Sequence, residues 1–230
     1  GPGVFDNLKE LAAICRKEEI WLHVDAAHGG LLKMSEQYSY LLEGIEEADS
    51  ITIDFHKLGF TPALTTAVLY RKALDSYRPF TQEASYLWSE EAEDPGIQSG
   101  LRTLECTKLM MGLKAFANLV WLGEDEMRRM MDSLVSQTRD FASWLQDQPG
   151  WELFQYPEAN ILCFKSTDYS EKQHKEALKR LVASGTYYIV STVIDGQFYF
   201  RITVMNVYTE ESHLKTLIEQ LKQHLDECKS

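Results

Sequence analysis

The sequence predicts an α/β fold with a small α+β module at its C-terminal end. Three observations predict it. Short apolar runs near residues 20–25, 50–54 and 65–70 are separated by helical or polar stretches. Long helical patterns fill 101–121 and 124–145. From Trp151 onward the rhythm changes to pairs of short apolar runs, each pair followed by a helix.

The elements follow in order. Asp6 is the expected N-cap of a helix over roughly 7–18, where Leu8, Leu11, Ala12 and Cys15 fall on one stripe. Ile20 to Asp25 reads as a buried strand ending in an acid, and 36–45 as a second helix. Ser50 to Asp54 and Thr65 to Tyr70 read as further strands, and strands spaced by helices predict parallel pairing with crossovers. Residues 81–100 carry loop chemistry, including the acidic run Glu90, Glu91, Glu93 and Asp94, expected to be solvated. Gly123 separates the two long helices, and Pro149-Gly150 ends that region. Runs at 151–156 and 160–165, a helix over 171–184 closed by Gly185, runs at 187–194 and 197–204 around Asp195-Gly196, and a last helix over 209–227 capped by Thr209 make a β-β-α-β-β-α module. A boundary near 148 follows from this pattern.

Composition narrows the function. Acidic residues outnumber basic ones 35 to 23, for a net charge of -12, which argues against a nucleic-acid partner whose phosphates would need neutralising. The four cysteines (Cys15, Cys106, Cys163 and Cys228) form no CxxC pair, so no metal site is expected. They read as free thiols in a reducing cytoplasm. No apolar run is long enough for a membrane span, and the Gly1-Pro2-Gly3-Val4 start is no signal peptide. The missing initiator methionine suggests a trimmed, tagged or partial chain. Met110, Met111, Met127, Met130 and Met131 lie at helical spacings and read as core and interface packing.

Two segments carry the chemistry: His23-Val24-Asp25-Ala26-Ala27-His28-Gly29-Gly30, and Asp49-Ser50-Ile51-Thr52-Ile53-Asp54-Phe55-His56-Lys57. Each ends a predicted strand in a charged group. Ligands of open α/β sheets bind at the carboxyl ends of strands, so an acid and an amine could meet there over one ligand. A lysine can form an imine with an aldehyde cofactor, and a carboxylate can keep a pyridine nitrogen protonated, which makes the ring an electron sink. Ala26, Ala27, Gly29 and Gly30 are small enough to let a flat ring lie close. Taken alone, His23 reads as a satisfied core histidine, and Arg102 as a structural or phosphate-directed residue.

The ordered set HVDAAHGG, then ADSITIDFHK with Lys57 32 residues after Asp25, then LGFTPALTTAVLYR and FYFRITVMN, resembles the group II decarboxylases that use pyridoxal phosphate (PLP). These include glutamate, aromatic amino-acid and diaminobutyrate decarboxylases; the stretch after Lys57 leans toward the bacterial diaminobutyrate type. The resemblance covers nearly the whole chain. It implies the aspartate-aminotransferase-type fold (fold type I). On that reading 1–100 are the C-terminal part of the PLP-binding large domain, 101–148 connecting helices, and 149–230 the small domain. It implies that Lys57 is the Schiff-base lysine, that Asp25 pairs with the pyridinium nitrogen, that Ala27 packs on one ring face, and that His56 lies near the cofactor phosphate. Lys57, Asp25 and His56 are thus the candidate catalytic and cofactor-binding residues, with Ala27 beside them. Arg201 stands where the family holds the substrate α-carboxylate, a task suited to a planar guanidinium. The implied reaction is decarboxylation of an L-amino acid to an amine, in a cytoplasmic homodimer or with a complementary chain.

The sequence departs from the family pattern in two ways. The resemblance begins in the middle of the large domain, without the segment that supplies a phosphate-binding loop and a group stacked on the second ring face, so a fragment, a cleaved chain or one of two chains is expected. The stretch 88–100 carries no tyrosine where the family places its proton donor, and Tyr86 aligns better with a structural position. This leaves open an aldehyde synthase or lyase reaction on the same scaffold, or a non-catalytic subunit.

Overall fold

A computed structural model describes residues 1–80, 99–105 and 107–228. The acidic run 90–94, Tyr86, Cys106 and most of the 88–100 stretch lie outside the described residues. By the density of its internal contacts the chain divides into two units: Asn7–Met127, and Gly1–Asp6 together with Arg128–Ser230.

The first unit opens with α1 (Leu8–Lys17), capped by Asn7, whose side chain accepts from the Glu10 N–H at 3.3 Å. The cap is therefore one residue later than Asp6. Leu8 and Ala12 are buried on its inner face while Leu11 is exposed, so the apolar stripe is narrower than the spacing suggested. Next come β1 (His23–Asp25), β2 (Ser50–Asp54) and β3 (Thr66–Tyr70), in sheet order β1-β2-β3. β1 and β2 run parallel with Asp25 opposite Thr52, whereas β3 runs antiparallel to β2 with Asp54 opposite Thr66. The expected parallel placement of the third strand fails because residues 55–65 hold no helix. A parallel return needs a crossover of about a dozen or more residues, usually a helix.

The helix expected over 36–45 is instead two 3-10 turns, Ser39–Leu42 and Ile45–Glu47. Ser35 Oγ accepts from the N–H groups of Gln37 and Tyr38, a side-chain cap that competes with a regular helix, and Gly44 at φ +93° breaks the run. Buried Leu32, Tyr38 and Leu42 anchor the turns. α2 spans only Gly112–Leu122 rather than starting at Leu101; upstream, a 3-10 turn holds Ser99–Arg102 and the Thr103 hydroxyl donates to the Glu105 carbonyl. Gly123, at φ +77°, separates α2 from α3 (Glu124–Gln146).

In the second unit the sheet order is β4-β5-β7-β6, all antiparallel, with β4 Trp151–Leu153, β5 Ile161–Ser166, β6 Val190–Ile194 and β7 Gln197–Thr203. Asp195 and Gly196, at φ 50° and 75°, make the two-residue turn between β6 and β7 that the Asp-Gly pair predicts. α4 (Glu171–Ala183) begins with a capping box of Ser170 and Gln173. α5 (Glu211–Glu227) is capped by Glu210 with His213, not by Thr209. α4 packs on α5 and on β7. The core gathers Leu162, Phe164, Phe200 and Ile202 from the sheet with Leu181, Leu217, Leu221 and Leu225 from these helices. On α3, Met131, Leu134, Val135, Phe141, Ala142 and Leu145 are buried in one helical stripe.

The methionine reading holds in part: Met127 and Met131 are buried, but Met110 is largely exposed. Cys163 is buried, while Cys15 and Cys228 are half-buried, and all three are free thiols. No helix among the described residues is long and apolar enough to cross a membrane.

Candidate active site

The parallel pairing of β1 and β2 puts the carboxyl ends of both strands on one edge of the sheet. Asp25 ends β1, and Lys57 follows the end of β2 by three residues. The two segments are tied by the main chain, since the Asp54 N–H donates to the Ala27 carbonyl at 3.1 Å. Asp25 is exposed, and its Oδ1 accepts from the Ala27 N–H at 3.1 Å, so the side chain also shapes the corner after β1. Ala27 is half-buried.

Lys57 sits in a tight turn whose backbone is closed by the Lys57 N–H to the Asp54 carbonyl, at 3.2 Å. The turn depends on Gly59: a Cβ there would stand 2.6 Å from the Phe55 carbonyl oxygen and 2.9 Å from Leu31. Gly30 plays a similar part after β1, where a Cβ would come within 3.0 Å of both Ala26 and Ile53. Lys57 Nζ lies 2.8 Å from Asp54 Oδ2, and its side chain keeps 34% of its exposure against 13% for Asp54. Asp54 Oδ1 accepts from the Thr66 hydroxyl at 2.6 Å, and His56 Nε2 stands 3.7 Å from Asp54 Oδ2. The other ring nitrogen of His56, Nδ1, accepts from the Thr65 N–H at 3.1 Å. Burial pushes the Asp54 carboxyl up, but hydrogen bonds from Lys57 and Thr66 and the neighbouring Lys57 charge outweigh it and hold the group below its ordinary range.

Lys57, His56, Asp25 and Ala27 therefore fall at the carboxyl ends of two adjacent parallel strands. Asp54 and Thr66 are the additions that residue-by-residue reading passed over. Their signals were present: Asp54 stands three residues before Lys57, a spacing that lets the side chains meet across one turn, and Thr66 faces Asp54 only through the antiparallel register of β3. His23 is not a core residue. It is exposed on β1, and Nδ1 lies 2.7 Å from Ser50 Oγ. The reason is the alternation of a short strand, in which Val24 takes the buried side and its neighbours the other.

Arg201 belongs to the second unit. It lies on the β7 face shared with Tyr199 and Thr203, opposite Cys163 on β5. Its Nη1 donates to the Thr203 hydroxyl at 3.0 Å and its Nε to the Gly1 carbonyl at 3.0 Å. It also lines a cavity of about 510 Å³ with Tyr187, Tyr188, Thr209 and His213. Arg102 stacks over the Tyr77 ring, 4.5 Å from its centre, and donates to the Tyr77 hydroxyl, a structural arrangement.

The residues present fit an aldehyde cofactor with a basic ring nitrogen. They offer the Lys57 amine, the Asp25 carboxylate with small residues beside it, a second carboxylate, Asp54, against the amine, and a glycine-dependent turn that presents the amine. Comparison with known proteins agrees. Residues 1–167 match the family described as "Pyridoxal-dependent decarboxylase conserved domain". The chain is 29% identical over 226 residues to an L-2,4-diaminobutyrate decarboxylase of Acinetobacter baumannii, covering 95% of this chain and 44% of that protein. It is 29% identical over 240 residues to the human cysteine sulfinic acid decarboxylase, covering 96% and 48%. Its fold matches the crystal structure of mouse CSAD with a TM-score of 0.85 at 26% identity, over 97% of this chain and 49% of that one. The chain thus spans just under half the length of these relatives, and its fold is the α/β fold type I. A parallel strand pair whose carboxyl ends lead into Asp25 and Lys57, a family match over most of the chain and this shared fold lead to one conclusion: the chain belongs to the pyridoxal-dependent decarboxylase family.

Proposed function

We propose that the complete protein decarboxylates an L-α-amino acid, with Lys57 as the residue that bonds the cofactor aldehyde. The observation that carries this reading is the placement of Asp25 and Lys57 at the carboxyl ends of neighbouring parallel strands, joined through the Asp54 N–H and the Ala27 carbonyl. Ligands of α/β sheets collect at such ends. The relatives named above are decarboxylases of amino acids, which supports the reaction class without naming the substrate.

Each residue has a task in this reading. Asp25 accepts a hydrogen bond from the protonated ring nitrogen and keeps it charged. Ala27, with no bulk beyond Cβ, lets the ring lie flat against the corner after β1. His56, held through its Nδ1 by Thr65, lies near the cofactor phosphate. Arg201 grips the substrate α-carboxylate with its planar guanidinium. Bound there, pyridoxal phosphate supplies the electron sink for the pair released when the carboxylate leaves.

We assign residues 1–100 to the PLP-binding large domain, 101–148 to the connection and 149–230 to the small domain. A homodimer or a complementary chain also belongs to the proposal. It is supported by the apolar residues that α2 leaves exposed, namely Leu113, Phe116, Val120 and Trp121. Exposed apolar surface of this extent marks interaction sites.

The test uses the protein encoded by the complete reading frame. Incubation with pyridoxal phosphate, borohydride reduction and peptide mass spectrometry should place the cofactor on Lys57, and Lys57→Ala should abolish both attachment and amine production while leaving the melting temperature nearly unchanged. Attachment to another lysine overturns the assignment. An aldehyde product in place of the amine would favour the second reading, an aldehyde synthase on the same scaffold, which the absence of tyrosine from 88–100 supports.

A further inference from the structure

Among the described residues, the charged group paired with Lys57 is Asp54, at 2.8 Å. The pair differs from an ordinary surface ion pair because one partner is fixed. The Asp54 side chain is 13% exposed, its Oδ1 is held by the Thr66 hydroxyl at 2.6 Å, and its main-chain N–H is spent on the Ala27 carbonyl. Thr66 is in turn set opposite Asp54 by the β2–β3 register. Lys57 is the partner with freedom, at 34% exposure on a flexible stem. The position of the lysine nitrogen is thus determined by where the carboxylate is held. His56, with Nε2 at 3.7 Å from Asp54 Oδ2, faces the same carboxylate.

We propose that Asp54 is a positioning residue for Lys57: its carboxylate, fixed by Thr66 and by the end of β2, parks the lysine ammonium at the sheet edge and sets how readily that nitrogen condenses with an aldehyde. The inference rests on the reading of Lys57 as the cofactor-binding lysine. Condensation needs a nitrogen lone pair. The ammonium must first give a proton to water; the nitrogen then bonds the aldehyde carbon, and the carbonyl oxygen leaves as water. The carboxylate holds the nitrogen at 2.8 Å, so the lysine must leave that contact before its nitrogen can reach the aldehyde. Asp54 itself stays ionised, since its hydrogen bonds outweigh its burial, so it serves as a counter-ion and not as the acceptor of the lysine proton. Once the nitrogen is taken up by the aldehyde, the carboxylate retains Thr66 and His56 as neighbours and is not left bare.

The test reads the lysine without the cofactor. The folded chain is labelled with trace acetic anhydride at neutral pH, fully modified after denaturation with the deuterated reagent, and each lysine quantified by mass spectrometry. Lys165, paired with Glu152 at 3.0 Å, serves as internal reference. Asp54→Asn keeps the shape and removes the charge that holds the nitrogen, and should raise Lys57 labelling relative to Lys165 by roughly 3–10-fold, the scale of one lost hydrogen bond. Thr66→Val, which frees the carboxylate without removing it, should raise it by less, and Asp54→Glu should return it toward the starting value. A Lys57-to-Lys165 ratio unchanged in Asp54→Asn overturns the proposal, as does a rise shared by both lysines, which would signal general loosening. Borohydride mapping of pyridoxal phosphate on the same variants separates the two readings. Attachment at Lys57 with labelling indifferent to Asp54 overturns this proposal alone. Labelling that responds to Asp54, with attachment at a different lysine, supports the parking and overturns the functional assignment.

Discussion

The Asp54 main-chain N–H donates to the Ala27 carbonyl at 3.1 Å, so the strand that presents Lys57 is bonded to the corner that follows Asp25. Neither segment needs the other's side chains for this link. It is a main-chain consequence of parallel pairing between β1 and β2, continued two residues past the last ladder pair, Asp25 with Thr52. The link holds the acid and the amine on neighbouring strand ends whatever occupies the side-chain positions, and side-chain substitutions there can therefore be read as changes in chemistry.

Asp25 has two roles that one substitution can separate. Its Oδ1 accepts from the Ala27 N–H, and in the proposed function its charge keeps a ring nitrogen protonated. Asp25→Asn preserves a carbonyl acceptor for Ala27 and discards the charge. The fold should be unaffected, within about 0.5 kcal/mol of wild-type stability, while amine production falls by orders of magnitude and some pyridoxal phosphate is still retained. Asp25→Ala should lose the corner hydrogen bond as well, at a cost of roughly 0.5–1.5 kcal/mol. Steady-state turnover beside thermal melts checks both, and near-normal turnover in Asp25→Asn would remove the carboxylate from the mechanism.

Arg201→Lys tests the substrate contact. The guanidinium donates to the Thr203 hydroxyl and the Gly1 carbonyl, from a β7 face that also carries Tyr199. A lysine keeps the positive charge but cannot present two parallel donors to a carboxylate. Substrate affinity should weaken by about 1.5–3 kcal/mol, the scale of a hydrogen bond to a charged group, with pyridoxal phosphate affinity unchanged. Titration of both ligands decides the matter. Equal losses would mean that Arg201 serves the packing of the second unit, and no loss for either would put it outside the site.

The sequence was most legible where a local rule acts alone. Asp195-Gly196 gave its turn because only residues that tolerate positive φ close a two-residue hairpin. Lys57, His56, Asp25 and Ala27 stood out because their motifs are contiguous. What escaped depended on pairing across the chain. The direction of β3, and with it the place of Thr66 beside Asp54, follows from a connection too short for a crossover, which no periodicity records. The broken helix over 36–45 escaped because its apolar spacing is helical, while the Ser35 hydroxyl and Gly44 overrule it locally. His23 escaped because a three-residue strand is too short to show which of its faces is covered.

His174 gives a prediction of acid sensitivity. It lies on α4 at 3% exposure, its ring stacked parallel to Phe198 at 5.8 Å and edge-on to Phe200 at 5.3 Å. Burial, aided by the nearby Lys165 charge and opposed by a hydrogen bond with the Ser166 main chain and by Glu171, pushes its pKa below the ordinary 6.5. The sign follows from linkage. Above 6.5 neither the folded nor the unfolded histidine binds a proton, and stability is complete. As the pH falls below 6.5, the unfolded chain takes up a proton that the folded chain refuses, so stability is lost until the folded pKa is reached. Phenylalanine fills the same aromatic slot without titrating. His174→Phe should therefore lose less melting temperature than wild type between neutral and mildly acidic buffer, by on the order of a few degrees. Differential scanning calorimetry on both proteins across that range reads the difference, and parallel pH profiles would show that His174 already takes its proton within the folded core.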